Sequence, residues 1–290
     1  MNLKKIYPNY LLIMPLLVYI VFFILPSTFG FLLAFTDWNP YLTKISFVGF
    51  ANIKEVFQNN ELLTAAQNTI SFTVITAILK NAIGLAIAVI LNRKLKTTNI
   101  LRTVYFIPVV FSALVVGLLF SAMFNANYGF VNVLLENIGL GKWAPEWLGN
   151  RFWAMVAFSF TEIWRSTGYA VVICLAGLQA IPNEYYEATD IDGANAWQKF
   201  RTVTLPLIMG PLNVNMLLSI IYGLKIFDIV YIMTHGGPGH ATETFMTLII
   251  NEMSQGRYAQ SVAINLVFAI LLVIVAISYQ KFARKTEVEL

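Results

Sequence analysis

A polytopic membrane bundle of six transmembrane α-helices is the all-α fold class that this sequence predicts, on three observations. First, 58% of its 290 residues are hydrophobic and only 12% are charged, against roughly 25% charged in a soluble domain. Such a chain lacks the polar surface to cover itself in water, and a bilayer is its natural solvent. Second, six apolar runs, at about 10–35, 69–91, 104–124, 153–178, 207–233 and 262–281, meet the roughly 20 residues a helix needs to cross a hydrocarbon core. No water satisfies backbone groups at that depth, so closed helices are favoured, and no run alternates in polarity as barrel strands do. Third, Lys and Arg are unevenly shared between the loops. With the N-terminus inside, the inner segments hold Lys4, Lys5, Arg93, Lys94, Lys96, Arg102, Lys199, Arg201, Lys281, Arg284 and Lys285. The outer ones hold only Lys44, Lys54, Lys142, Arg151 and Arg257. This excess predicts that both termini and the 179–206 loop face the cytoplasm.

The first run follows Lys4 and Lys5 as a secretory signal would. It is longer than a signal core and no A-x-A-like site closes it, so a retained span is expected. The outer loops are too short for a substantial further domain, and residues 1–290 read as a single transmembrane domain. Gly129, Gly139, Gly141, Pro145 and Gly149 make 125–152 an irregular cap with at most one short helix. The single cysteine, Cys174, excludes an internal disulfide and a Cys-based metal site. Its apolar surroundings predict a small buried hydrophobe.

Between the fourth and fifth runs lies a polar island. Pro182 suits the first position of a helix, and Glu184 and Glu187 then complement the positive end of its dipole. Asp192-Gly193 reads as a stop. A second helical stretch carries Ala194, Trp197 and Phe200, with Lys199 and Arg201 near its end. Pro206 and Gly210-Pro211 are expected to break the path into the fifth run. A compact helix–turn–helix results, suited to transmit a push from a partner; the plainer alternative is an amphipathic connector on the membrane surface.

Glu187-Ala188-Thr189, three residues, Gly193, nine residues, Val203, one residue and Leu205-Pro206 resembles the loop by which ABC importer permeases dock onto their ATPase subunits. Thr189 replaces an Ala of that pattern and Val203 an Ile. The resemblance runs along most of the chain. Phe47-Val48-Gly49-Phe50-Ala51-Asn52, Asn68-Thr69, Ala176 to Pro182, Ile191 to Ala194, Phe227-Asp228 and Gly236 to Thr244 are similar to the carbohydrate-importer branch, in the compact six-span form of the maltose and glycerol-phosphate permeases. It implies the type I importer permease fold in a bacterial-type inner membrane. It also implies a heterodimer with a second permease, two cytoplasmic ATPase subunits and an extracytoplasmic solute-binding protein, with no nucleic acid involved. The docking residues it implies are Glu184, Glu187, Ala188, Asp192, Gly193, Leu205 and Pro206. The solute expected is a sugar or oligosaccharide, with a polyol or glycerol-phosphate-type solute as the alternative.

No G-x-x-x-x-G-K-[ST] phosphate loop occurs, so no cofactor is expected on this chain and ATP is expected to be used by the partner ATPase. H-E-x-x-H and G-x-S-x-G are also absent, which leaves an intramembrane enzyme without its motifs. An ion-coupled secondary carrier would favour an internal repeat and unpaired membrane carboxylates. No repeat is evident, and each carboxylate has a basic neighbour three residues away.

Ionisable groups inside spans face the bundle or a water-filled path. Glu162 and Arg165 are three apart and are expected to form a structural ion pair on one helical face, with a lining of the solute pathway as the alternative role. Lys225 and Asp228 have the same spacing, and Tyr231 falls on their face while Phe227 points about 100° away. Lys225, Phe227, Asp228, Tyr231 and Tyr222 are therefore candidates for the substrate pathway, with interhelical clamping as the alternative role. Lys80-Asn81, Asn213 and Asn215 are further polar groups within spans. His235 and His240 beside Glu243 suggest turn chemistry, and no metal site is expected.

Overall fold

The computed structural model describes residues 10–93 and 97–286. The expected inner cations Lys4, Lys5, Lys94 and Lys96 and both chain termini lie outside the described residues. The helices in order are α1 (Tyr10–Leu33), α2 (Ala51–Gln58), α3 (Asn60–Leu91), α4 (Thr98–Val110), α5 (Ala113–Met123), α6 (Phe130–Asn137), α7 (Arg151–Ala180), α8 (Asn183–Ile191), α9 (Ala196–Lys199), α10 (Leu205–Leu224), α11 (Asp228–Thr234), α12 (Phe245–Ser254) and α13 (Tyr258–Ala283). α6 is the one short helix expected in the outer cap, while α2 and α12 were not anticipated.

Among the described residues, four helical segments are long and apolar enough to cross a membrane: α1, α3, the stretch Ala196–Thr234, and α13. α4 and α5 together make a fifth, bent by 92° at their junction. α7 corresponds to the remaining expected span. Its 30 residues give about 45 Å at 1.5 Å per residue, ample to cross. Glu162 and Arg165 lower its apolarity, and it turns Glu162 fully inward.

Packing divides the chain into two compact units, Met1–Leu62 with Leu248–Ile270, and Leu63–Thr247 with Leu271–Leu290. In the first, α1 carries no buried residue. Its apolar side chains are those of a helix with lipid or another subunit as its solvent. Asn52 donates from Nδ2 to the carbonyls of Ala34 and Thr36, at 2.9 and 2.8 Å, and so ties α2 to the end of α1. Arg257 grips buried Glu252 through two hydrogen bonds at the turn between α12 and α13.

The second unit is layered. One apolar cluster joins Phe72, Phe120, Phe124, Phe158, Ile229 and Val230. Another joins Ala88, Leu91, Val171, Cys174, Leu178 and Ile208. Cys174 is fully buried there, as its surroundings predicted. Between these clusters in the sequence of α3, α7 and α10 come Lys80, Asn81, Glu162, Asn215 and Ser219, all buried. α3 and α7 cross just beyond this polar layer. A Cβ at Gly84 would stand 2.4 Å from Ala170 Cβ, so only glycine permits the approach.

Three expectations about spans need correction. The third span is two helices. α4 stops at Val110, Phe111 and Ser112 are extended, and Ser112 Oγ caps α5 by accepting from Val115 N at 3.3 Å. The fifth span is also two helices, because α10 ends at Leu224 and α11 begins only at Asp228. Conversely, Pro206 and Pro211 break nothing. A π turn over Phe200–Thr204 precedes Pro206, as another over Ile20–Ile24 precedes Pro26. Proline has no N–H for the fourth residue back and its ring crowds that carbonyl; the wider turn accommodates both and the helix continues.

Candidate functional site

The polar layer is organised by Glu162. Its Oε1 is 3.2 Å from Lys80 Nζ on α3, and its Oε2 is 3.1 Å from Arg165 Nη2 one turn along α7. Ser166 Oγ donates to Oε1 at 2.7 Å. Arg165 also donates to the Tyr222 hydroxyl on α10, and Lys80 and Arg165 both lie over the Tyr222 ring, at 5.4 and 5.5 Å. A second set of bonds reinforces α3 against α10: Asn215 Nδ2 donates to Asn81 Oδ1 at 2.6 Å, and Asn81 Nδ2 to Ser219 Oγ at 3.2 Å. The expected Glu162–Arg165 pair is present, but it is half of a wider arrangement. Lys80, Ser166 and Tyr222 as partners of the pair escaped the sequence reading. The available signal was Lys80 itself, a cation in an apolar run with no acid nearby.

Beside this network opens a cavity of about 560 Å³, walled by α3, α4, α7 and α10. Lys80, Arg165, Asn215, Tyr222, Lys225, Phe227 and Asp228 all contribute to it. Four of the five pathway candidates are thus brought together. Tyr231 is not among the walls; it stacks on Phe227 with ring centres 4.9 Å apart. The expected Lys225–Asp228 pair is corrected. The chain is not helical over Lys225–Phe227, so the three-residue spacing no longer places both on one face. Both side chains are exposed, and no salt bridge joins them among the described residues.

The cavity adjoins both helix breaks. Val109, just before the α4–α5 bend, and Lys225 to Asp228, at the α10–α11 break, line it together. Beyond the breaks, α5 and α11 pack tightly: a Cβ at Gly117 would stand 2.9 Å from Ile232 Cγ2.

The polar island is the helix–turn–helix expected, with changed details. Pro182 is the N-cap of α8, not its first residue, and Glu184 lies in the first turn. Gly193 has φ +72°, the left-handed backbone that stops a helix. Its N–H meets the Asp190 carbonyl and that of Ala194 the Thr189 carbonyl, at 3.1 and 3.0 Å. Asn195 and Gln198 form a reciprocal capping box that starts α9. Asp190 and Lys199 pair across the turn, and Trp197 stacks on Phe200. Glu184, Ala188, Asp192 and Gly193 line an open hollow of about 940 Å³, and Glu187 is exposed beside it. Leu205 and Pro206 are different. Half-buried at the root of α10, they follow buried Val203 and Thr204 and hold the loop to the bundle. Tyr186 Oη, 3.2 Å from Thr204 Oγ1, links α8 to that root.

His235 and His240 both take left-handed backbone, at φ 54° and 65°, as turn residues do. His240 Nδ1 lies 2.7 Å from Glu243 Oε1.

A helical membrane bundle with a polar layer, a side cavity and a projecting helix–turn–helix is a solute-translocating subunit in form, and comparison with known proteins agrees. A model of the family described as binding-protein-dependent transport system inner membrane component matches residues 80–288. The chain is 35% identical to the trehalose/maltose transport system permease protein MalF of Thermococcus litoralis, over 95% of this chain and 93% of that protein. It is 31% identical to the multiple sugar-binding transport system permease protein MsmF of Streptococcus mutans, over 99% of this chain and all of that one. A crystal structure of a bacterial ABC transporter involved in the import of the acidic polysaccharide alginate includes a chain with the same fold. Its TM-score is 0.84 at 21% identity, covering 98% of this chain and 97% of that one. The chain belongs to the family of inner membrane components of binding-protein-dependent transport systems. It is a multi-pass membrane permease and a translocation subunit, not an enzyme.

Proposed function

We propose that this chain is one of two permeases forming the pathway for a sugar or oligosaccharide in an ATP-driven importer, and that it acts throughout its length as one permease domain. The observation that carries this reading is the cavity beside Glu162, which gathers Tyr222, Phe227, Lys225 and Asp228 at the level where two spans are broken. Aromatic faces and charged hydrogen-bonding groups suit a polyhydroxylated solute. The names of the relatives, which concern maltose, trehalose and multiple sugars, support the same class.

The partners in this reading are a second permease, two cytoplasmic ATPase subunits and an extracytoplasmic solute-binding protein. The loop over α8 and α9 meets an ATPase in the cytoplasm, with Glu184, Glu187, Ala188, Asp192 and Gly193 on the contact face and Leu205 and Pro206 as its root. Both termini are cytoplasmic. ATP is used on the partner ATPase, and this chain binds no cofactor. Because α5 and α11 pack together beyond paired breaks, they are suited to tilt as a unit and open or close the cavity. The capped loop is stiff enough to pass the ATPase movement to α10.

Asp228, exposed and without a salt bridge among the described residues, is a feature that an ion-coupled carrier would share. Uptake of labelled maltooligosaccharide into vesicles that hold the chain and its second permease, supplied with sugar-loaded binding protein, with and without the ATPase, separates the two. Uptake without the ATPase, driven by an ion gradient, overturns the importer reading.

A further inference from the structure

A second hollow, of about 760 Å³, runs between α3 and α7. Its walls are largely apolar, including Ile75, Leu79, Met155, Val156, Phe160 and Ile163. Asn68, Asn150 and Arg151 stand together at one end. Arg151 is held there by neutral groups. Its Nε donates to Asn68 Oδ1 at 3.0 Å and its Nη2 to Gln67 Oε1 at 3.1 Å. Asn68 is itself fixed from behind, donating to the carbonyls of Ala241 and Glu243 at 3.0 and 2.7 Å. Among the described residues no carboxylate pairs with Arg151. Arg151 also begins α7, and the positive end of that helix adds to its charge. An exposed but hydrogen-bonded cation, with no counter-ion among the described residues, therefore sits at the head of an apolar groove.

The length of the groove fits one class of occupant. From Arg151 to Ile163 along α7 is about 18 Å at 1.5 Å per residue, close to one leaflet of a hydrocarbon core roughly 30 Å thick. We propose that the groove binds one anionic phospholipid, its phosphate on Arg151 and an acyl chain lying along Val156 and Phe160 towards Ile163. The proposal rests on the membrane orientation given above, which puts the start of α7 at the outer face. A net-negative headgroup complements a guanidinium held only by neutral groups among the described residues, whereas a zwitterionic one carries its own cation. Ser159, whose hydroxyl has no partner among the described residues, can return it to the Met155 carbonyl one turn back and so present no polar group to the chain.

The test uses the assembled transporter in nanodiscs of phosphatidylglycerol or phosphatidylcholine, with retained lipid counted by native mass spectrometry after mild detergent extraction. Phosphatidylglycerol is expected to stay bound and phosphatidylcholine to be lost. Arg151→Gln should weaken retention about fivefold, the effect of one basic side chain at an anionic lipid surface. Val156→Trp, which fills the groove and leaves Arg151 in place, should abolish it. Equal retention of both lipids, or retention unchanged in both variants, overturns the proposal. Should a variant fail to assemble, a photoreactive phenylalanine at Val156 in the full complex decides: a lipid adduct supports the site, and an adduct to the second permease overturns it. Sugar uptake and ATPase association are measured alongside, so failure of the lipid site is distinguishable from failure of the importer reading.

Discussion

Lys80 on α3 and Glu162 on α7 meet at 3.2 Å in the buried layer of the second unit, and Arg165 holds the other oxygen of the same carboxylate at 3.1 Å. One anion thus serves two cations from two helices. Removing the anion is the severe change. Glu162→Leu strands Lys80 and Arg165 without a counter-ion, and breaking such a buried pair costs about 3–5 kcal/mol. Lys80→Met leaves Glu162 with Arg165 and Ser166 and should be milder. The level and melting temperature of purified protein check this. Equal loss in the two variants contradicts the arrangement.

Asp228 lines the cavity and, among the described residues, forms no salt bridge, so its removal strands no buried charge. Asp228→Asn should therefore reduce uptake while expression and assembly with the ATPase remain normal. Lys225→Ala should not rescue it, because the two do not form a pair. Uptake falling only in proportion to protein level would return Asp228 to a structural role.

Gly193 has φ +72°, yet a Cβ there would meet nothing within 4 Å. The demand is on the backbone, about 1–2 kcal/mol for an ordinary L-residue, and not on space. Gly193→Asn should be tolerated, since Asn visits that region. Gly193→Trp should abolish uptake and ATPase co-purification, through both strain and bulk on the docking face, without removing the chain from the membrane. Glu187→Arg should weaken ATPase binding with no strain at all. Normal co-purification in both Gly193→Trp and Glu187→Arg sinks the docking assignment.

Membrane orientation is checked by cysteine labelling in intact cells. Cysteines at Asn2, Asn195 and Glu287 should resist an impermeant thiol reagent, and those at Asn59, Asn150 and Gln255 should react. Cys174, fully buried, should stay silent. Labelling at position 195 from outside refutes the topology and the docking role together.

Much of this was legible before the structure, for identifiable reasons. Long apolar runs report spans because the bilayer leaves the backbone few alternatives. Gly193 reported a helix stop because glycine favours the left-handed turn. The break at Lys225–Phe227 left no such mark: Lys, Ile and Phe are compatible with helix, and the packing of α5 on α11 is a tertiary contact that local pattern does not encode. The same blindness hid the partner of Lys80, which lies 82 positions away. Prolines misled in the opposite sense, since a π turn carries the helix through Pro206 and α10 runs on past Pro211.

Uptake by purified components tests ATP-driven translocation through this chain most directly. The chain is reconstituted in vesicles with its second permease, with or without the ATPase subunits, and supplied with sugar-loaded binding protein. Labelled maltooligosaccharide should accumulate only when the ATPase and ATP are both present, and Gly193→Trp should abolish that accumulation. Accumulation at the same rate without the ATPase would contradict ATP-driven translocation.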